Sequence, residues 1–145
     1  MRGVGPGCDN VGVIHGEWGE NEAVNYLRRH GYEIVDRNPR PVERDRRLEI
    51  DIVAWDRARD VMVFIEVKQH AKISPFARRL SRITREKKAN LRRACNAWKR
   101  VNRWRGEYRF DVIEVYGRPE GGRAEIDHIS DVELFARRGR FVKWF

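Results

Sequence analysis

The sequence predicts an α/β domain whose mixed central sheet is flanked by helices. Three observations lead there: helical spacing of apolar residues early in the chain, two β-rich runs separated by four turn-forming residues, and a second helical stretch followed by another β-rich run. A chain of 145 residues with 41% hydrophobic content suits one compact domain with one core.

The glycine-rich stretch Met1 to Ile14 lacks an apolar segment of signal-peptide length and reads as a flexible lead-in, leaving residues 15–145 as the domain. From Gly16 to His30, Ala23, Val24 and Leu27 recur at helical spacing and Gly31 supplies a stop. Tyr32 to Asp36 reads as a short strand. Arg37 to Arg47, with two prolines and five arginines, reads as a loop. Leu48 to Asp56 and Val61 to His70 are β-rich runs joined by Arg57 to Asp60, the pattern of an antiparallel hairpin. A helical region opens at Ser74-Pro75, is open to a break near Thr84 and runs to about Arg103, with Ile83, Leu91, Ala94, Trp98 and Val101 as its apolar stripe. Tyr108 to Tyr116 and Ala124 to Ile129 read as strands on either side of a Pro119 and Gly121-Gly122 turn, and Asp131 to Arg137 as a last short helix.

The hairpin carries the chemistry. With Arg57 to Asp60 as its loop, Trp55 faces Met62, Val53 faces Phe64, Asp51 faces Glu66 and Glu49 faces Lys68, all projecting from one side of the ribbon. The other side, Leu48, Ile50, Ile52, Ala54, Val61, Val63, Ile65 and Val67, is wholly aliphatic and can only be core. Opposed cross-strand side chains have Cβ atoms roughly 4.5–5.5 Å apart, where like charges are destabilising. Asp51 and Glu66 therefore need a neutralising partner. A hard divalent cation such as Mg²⁺ or Mn²⁺ is one, since it takes one or two carboxylates together with waters and phosphate oxygens. Nearby arginines on a solvated sheet face are the other. Two further residues lean toward the same place. Glu20 shares the inward face of the first helix with Ala23, Val24 and Leu27, and Lys87 lies on the apolar stripe between Ile83 and Leu91. For each, an ordinary helix-start glutamate or a lysine with a snorkelling stem is the competing reading.

The formal net charge of +9 and the pI near 10.1 make a polyanion the expected partner. Between Lys72 and Arg105 stand thirteen Lys or Arg and one acidic residue, Glu86, so Lys72, Arg78, Arg79, Arg82, Arg85, Lys87, Lys88 and Arg92 are candidate phosphate contacts. No apolar run approaches the ~20 residues that span a bilayer, which favours nucleic acid over membrane. Cys8 and Cys95 are far apart and lack zinc-ligand spacing, as expected of a protein in the reducing cytoplasm. Trp104 and the terminal Trp144-Phe145 lie among arginines and suit either base stacking or a dimer contact, with the dimer slightly preferred.

Glu49-Ile50-Asp51 followed by Glu66-Val67-Lys68 resembles the PD-(D/E)xK signature of the restriction-endonuclease-like superfamily. More narrowly, Gly19-Glu20 with Ala23 and Tyr26-Leu27, Gly31-Tyr32, Arg37-Asn38, Val63-Phe64-Ile65 ahead of Glu66, Lys87 with Leu91, and Arg109-Phe110-Asp111-Val112 resemble the YraN-like family of small bacterial proteins, which is also similar to Holliday-junction resolvases. The resemblance implies a restriction-endonuclease-like αβββαβ core, a divalent metal on Asp51 and Glu66, Lys68 activating the attacking water, and Glu20 assisting from the first helix. It further implies a metal-dependent endonuclease acting on DNA, branched junctions among its candidate substrates, working as a homodimer. A non-catalytic nucleic-acid-binding module, or an accessory protein that keeps the fold, is the alternative.

Overall fold

A computed structural model describes residues 8–71 and 83–135. Helix α1 (Cys8–Arg29) leads into strand β1 (Tyr32–Arg37), the hairpin of β2 (Ile52–Asp56) and β3 (Val61–His70), helix α2 (Arg85–Val101), strand β4 (Tyr108–Tyr116), a single 3₁₀ turn and strand β5 (Glu125–Ile129). The five strands form one sheet in the order β1-β2-β3-β4-β5, with β3 and β4 parallel and every other pair antiparallel. The parallel pair requires a crossover, which α2 provides.

The period-two alternation of the hairpin sorts the core into two layers. Ile52, Ala54, Val63 and Ile65, with Ile113 and Val115 of β4, pack against Ala23, Val24 and Leu27 of α1. Val53, Met62 and Phe64, with Phe110 and Val112, pack against Leu91, Ala94, Cys95 and Trp98 of α2. The hairpin register is the one the sequence predicts, Trp55 opposite Met62 and Val53 opposite Phe64. Cys95 is buried and unpaired, and its burial pushes the thiol well above its ordinary range.

Several boundaries differ from expectation. Helix α1 begins at Cys8 rather than Gly16, because isolated glycines cost a helix only about 1 kcal/mol each and do not stop it. Strand β2 begins at Ile52 rather than Leu48. The ladder thus ends before the predicted Asp51–Glu66 and Glu49–Lys68 pairs, and Leu48 and Ile50 turn into the α2 layer instead of sharing a face with Ile52. The preceding segment takes over their backbone groups: Asn38 N–H donates to Asp51 O at 2.9 Å and Ile50 N–H to Pro39 O at 3.2 Å. The Pro41–Arg47 loop is tucked in by Val42, which packs on the α2 layer, and by an Asp45–Arg47 ion pair at 2.9 Å. Thr84 is the N-cap of α2, so the helix starts at the expected break, while its Ser74-Pro75 portion lies outside the described residues. Val101, assigned to the apolar stripe, is 67% exposed because it falls in the last turn, past the end of the sheet contact. Residues 131–135 are irregular rather than helical: Val132 N–H donates to Phe110 O at 2.7 Å, a bond that a helix there would forgo. Strand β1 carries a bulge between Ile34 and Asp36, with Val35 as the extra, exposed residue.

On the α1 face of the sheet, Arg109 of β4 ties its own strand to β2 and β1. It bonds Asp111 through Nε at 2.9 Å, Asp56 at 3.0 Å and the Tyr32 hydroxyl at 2.9 Å. Asp111, fully buried, also meets His128 Nε2 at 2.7 Å and accepts the Asp131 N–H at 2.9 Å. Burial alone would raise the Asp111 pKa, but the bonds from His128, Arg109 and Asp131 outweigh it and hold the carboxyl below its ordinary value. Replacing Arg109 with Met should cost on the order of 3–5 kcal/mol in urea unfolding, since it strands a buried carboxylate. Adding Asp111→Asn to that variant should recover part of the loss, and strictly additive costs would show that the two residues do not act as a pair.

Candidate functional site

The acidic residues meet where β2 leaves the sheet. Beyond Ile65, β3 has lost its β2 neighbour and is paired through β4, from Glu66 opposite Val112 to His70 opposite Tyr116. The Val67 N–H on the vacated side is taken by the Asp51 carboxylate, which accepts it at 2.8 Å. Asp51 thus occupies the place of a strand partner, and its carboxyl sits at the sheet edge between the two helical layers.

Glu66 faces the α2 layer and is 9% exposed. The capping bond from Lys87 N–H to Thr84 Oγ1, 3.1 Å long, fixes the first turn of α2, and Lys87 Nζ comes within 3.5 Å of Glu66 Oε1. Asp51 and Glu66 are near enough for their carboxyls to act on one another directly, and one proton shared between them would relieve the repulsion. Burial first, and then the neighbouring Asp51 charge, pushes the Glu66 carboxyl up to about 7, against the pull of Lys87. Burial likewise raises Asp51, opposed by the Val67 N–H and by Lys87.

Glu20 approaches from the α1 side. Gly19 eases the approach of α1 to β3: a Cβ there would fall 2.5 Å from Gln69 Oε1, and that amide would have to turn aside. Glu20 hydrogen-bonds Asn38, and its pKa is raised by burial and then by the Asp51 charge. Asn38 adopts the left-handed conformation, φ 53°, and its own N–H holds the Asp51 carbonyl, so it connects both acids. Glu49 pairs with Arg40 at 3.1 Å rather than with Lys68. Lys68 lies half-buried beside Glu114 across the β3–β4 pairing.

Of the sequence-predicted residues, Glu20, Asp51, Glu66 and Lys87 are therefore brought together, with Lys68 two residues along β3. Among the candidate phosphate contacts, Lys72, Arg78, Arg79 and Arg82 lie outside the described residues. Arg85 and Lys88 stand on the first turn of α2, and Arg92 donates to the Leu134 carbonyl at 3.1 Å. Sequence reading named Asn38 only as part of the family resemblance, without a role, and did not single out Gln69, His70, Glu114 or Tyr116. Glu114 is 1% exposed, accepts the Tyr116 hydroxyl at 2.9 Å and faces His70 Nε2 at 3.4 Å without the alignment of a hydrogen bond. A charged residue inside the apolar run of β4 was the available signal.

The buried side-chain atoms without a hydrogen-bond partner among the described residues are Glu20 Oε1, Glu66 Oε2, Gln69 Oε1, His70 Nε2 and Glu114 Oε1. All of them belong to this end of β3 or to residues facing it, and a native fold leaves such atoms unpaired at a cost that asks for a reason. Two adjacent buried carboxyls with an orphaned oxygen are chemically suited to a hard cation, which would replace a proton shared between them. No group of three or more His, Cys, Asp or Glu among the described residues forms a cage by itself. Magnesium, which keeps several waters, needs no such cage.

The raised acid pair has a consequence for stability. A carboxyl whose folded-state pKa lies above its unfolded value stabilises the fold below the unfolded pKa and loses that contribution as pH rises through the folded one. For Glu66 the window runs from 4.5 to about 7, an upper bound on the order of 3 kcal/mol. Chelator-treated protein should thus lose thermal stability between these pH values, and Glu66→Gln should flatten the profile; a wild-type midpoint that rises across the window would contradict the assignment.

No helix among the described residues is long and apolar enough to cross a membrane. The family model for uncharacterised protein family UPF0102 matches residues 19–115, from the glycine that seats α1 on β3 to the penultimate residue of β4. A UPF0102 protein of Syntrophotalea carbinolica is 39% identical over 117 residues, covering 78% of this chain and 85% of its own. One from Trichlorobacter lovleyi is 36% identical over 129 residues, covering 88% and 93%, and one from Bacteroides thetaiotaomicron 36% identical over 116 residues, covering 80% and 88%. The family match takes in strands β1 to β4, helix α2, the α1 residues from Gly19 onward and every acid of the site, and the chain belongs to the UPF0102, or YraN-like, family.

Proposed function

We propose that this protein is a metal-dependent endonuclease that hydrolyses phosphodiester bonds in DNA, with branched junctions among its candidate substrates. The observation that carries the reading is the Asp51–Glu66 pair: two neighbouring buried carboxyls, both raised by burial, with the Glu66 Oε2 unpartnered. Mg²⁺ or Mn²⁺, when bound, supplies Lewis-acid polarisation and a lowered water pKa.

In this reading Asp51 and Glu66 hold the cation, and the Val67 N–H keeps Asp51 oriented while it does so. Glu20, raised by burial and lying against Asp51, accepts a proton or orients a water on the α1 side. Lys68 follows Glu66 by two residues and so emerges on the same face of β3, where its charge offsets the negative charge developing on the phosphate. Lys87 neutralises part of the acid pair before substrate arrives.

The 3.5 Å Lys87–Glu66 contact also supports a second reading, in which that lysine and a shared proton suffice to settle the acids and the fold only binds nucleic acid. Thermal unfolding with millimolar Mg²⁺ or Mn²⁺ separates the two. At ten times the Kd, linkage amounts to about 1.4 kcal/mol, roughly 3–6 °C for a domain of this size. Asp51→Asn keeps an oxygen for the Val67 N–H while removing a charge, so it should match or exceed the wild-type midpoint without metal and ignore added metal. Wild type should also nick supercoiled or four-way-junction DNA, with Lys68→Ala slower by at least about 100-fold. A wild-type midpoint indifferent to both ions would end the nuclease reading in favour of the binding module.

A further inference from the structure

The far end of α2 carries a second, separate concentration of charge. Helix α2 closes with Asn102 as its cap, and Arg103 turns into the left-handed conformation at φ 53°, so that Trp104 N–H reaches back to Lys99 O at 2.9 Å. This turn folds the following residues beside the helix and opens a depression of about 610 Å³ lined by Lys99, Arg100, Arg103 and Arg105 with Trp104 and Tyr108. No carboxylate lines it among the described residues. The negative end of the helix dipole accounts for cations in the last turn, Lys99 and Arg100, but not for Arg103 and Arg105, which follow the helix.

Its aromatic wall is held in place. The Trp104 indole donates to the Glu107 carbonyl at 3.1 Å, and its ring lies so near Gly106 that a Cβ there would come within 2.6 Å. Lys99 Nζ stands 3.3 Å from the centre of the Tyr108 ring. A second depression, about 280 Å³, shares Asn96 and Arg100 with the first and continues past Arg93 to Val42 and Leu48 of the loop before β2. Arg93, Asn96 and Arg100 fall at helical spacing along one face of α2 and Arg103 lies just past its end, so the two depressions, which share Asn96 and Arg100, make one cationic groove running back along the helix.

We infer that this groove holds a stretch of nucleic-acid phosphodiester backbone at a distance from the acidic centre. The claim rests on the nucleic-acid reading above and extends it. Lys87 and Arg100 are separated by thirteen residues of one helix, about 20 Å at 1.5 Å per residue, which is the axial rise of about six base pairs. A chain held at both ends of α2 would be engaged over that length, its backbone charges met by the groove and its path flanked by a fixed indole. Backbone contacts of this kind position a substrate without reading its sequence.

The test is equilibrium binding of a fluorescein-labelled 25-base-pair duplex and of a single strand of the same sequence, followed by anisotropy across a salt series in EDTA. Arg103→Ser/Arg105→Ser removes two exposed cations without touching the acids. It should weaken binding by roughly tenfold or more and lower the slope of log K against log salt by about 2, irrespective of oligonucleotide sequence. Arg28→Ser/Arg29→Ser, at the end of α1, should leave both unchanged. A double variant that keeps the wild-type slope on both probes overturns the groove, whether or not the protein cleaves DNA. Conversely, a lost slope in a protein that proves indifferent to metal leaves the groove standing and removes only the nuclease. Binding of polyglutamate that depends on Arg103 and Arg105, with the DNA slope unaltered, would make this an acidic-protein site and sink the proposal.

Discussion

The structure around the acids depends on one hydrogen bond made in an unusual way. A strand in a sheet normally gives its N–H groups to a neighbour along its whole length, yet β2 stops at Ile52 while β3 continues to His70. Asp51, the residue just before β2, closes the gap with its side chain on Val67 N–H. That substitution lets the chain leave the sheet without orphaning a buried donor. It also swings Leu48 and Ile50 into the α2 layer and leaves a carboxyl group beside Glu66. Were β2 to continue in register, Asp51 would have no backbone donor to hold and the loop from Asn38 would have no place to pair.

The two helices are fitted to this edge by different means. Helix α1 lies close to β3 at Gly19, where a side chain would displace only the Gln69 amide, and the approach brings Glu20 within the field of Asp51. Helix α2 is set by Thr84, whose cap fixes the turn from which Lys87 extends to Glu66. Each helix therefore contributes one charged residue to an edge that neither covers by itself. On the α1 face the strands are stitched by Arg109, Asp111 and His128, whose side chains bond one another, Asp56 and Tyr32. The unpaired atoms gather around the acidic end of β3, whereas the Arg109 network is satisfied.

Much of this was legible in the sequence, because period-two alternation and a four-residue turn leave little freedom in a hairpin. The facing of Trp55 to Met62 and Val53 to Phe64 followed from counting alone, and so did the approach of Asp51 to Glu66, although by a side-chain bond rather than a ladder pair. The exit at Ile52 was not legible, since Leu48 to Asp51 are as β-prone as the strand itself and only the pairing of Asn38 and Pro39 pulls them away. Glu114 left only a faint signal, a charge inside the apolar run of β4, and it is the fold that seals it against Tyr116 and His70. The early start of α1 escaped because glycines read as flexibility, when a helix tolerates them singly.

The bulge at Val35 bears on how the molecule behaves in company. Strand β1 is an edge of the sheet, and an edge with regular, unspent N–H and C=O groups invites a further strand from another chain. Placing an extra residue between Ile34 and Asp36 breaks the spacing of those groups and adds local twist. A flat strand laid along β1 would fall out of step within three residues. The irregularity thus keeps the sheet from growing sideways when many copies of the chain are crowded together.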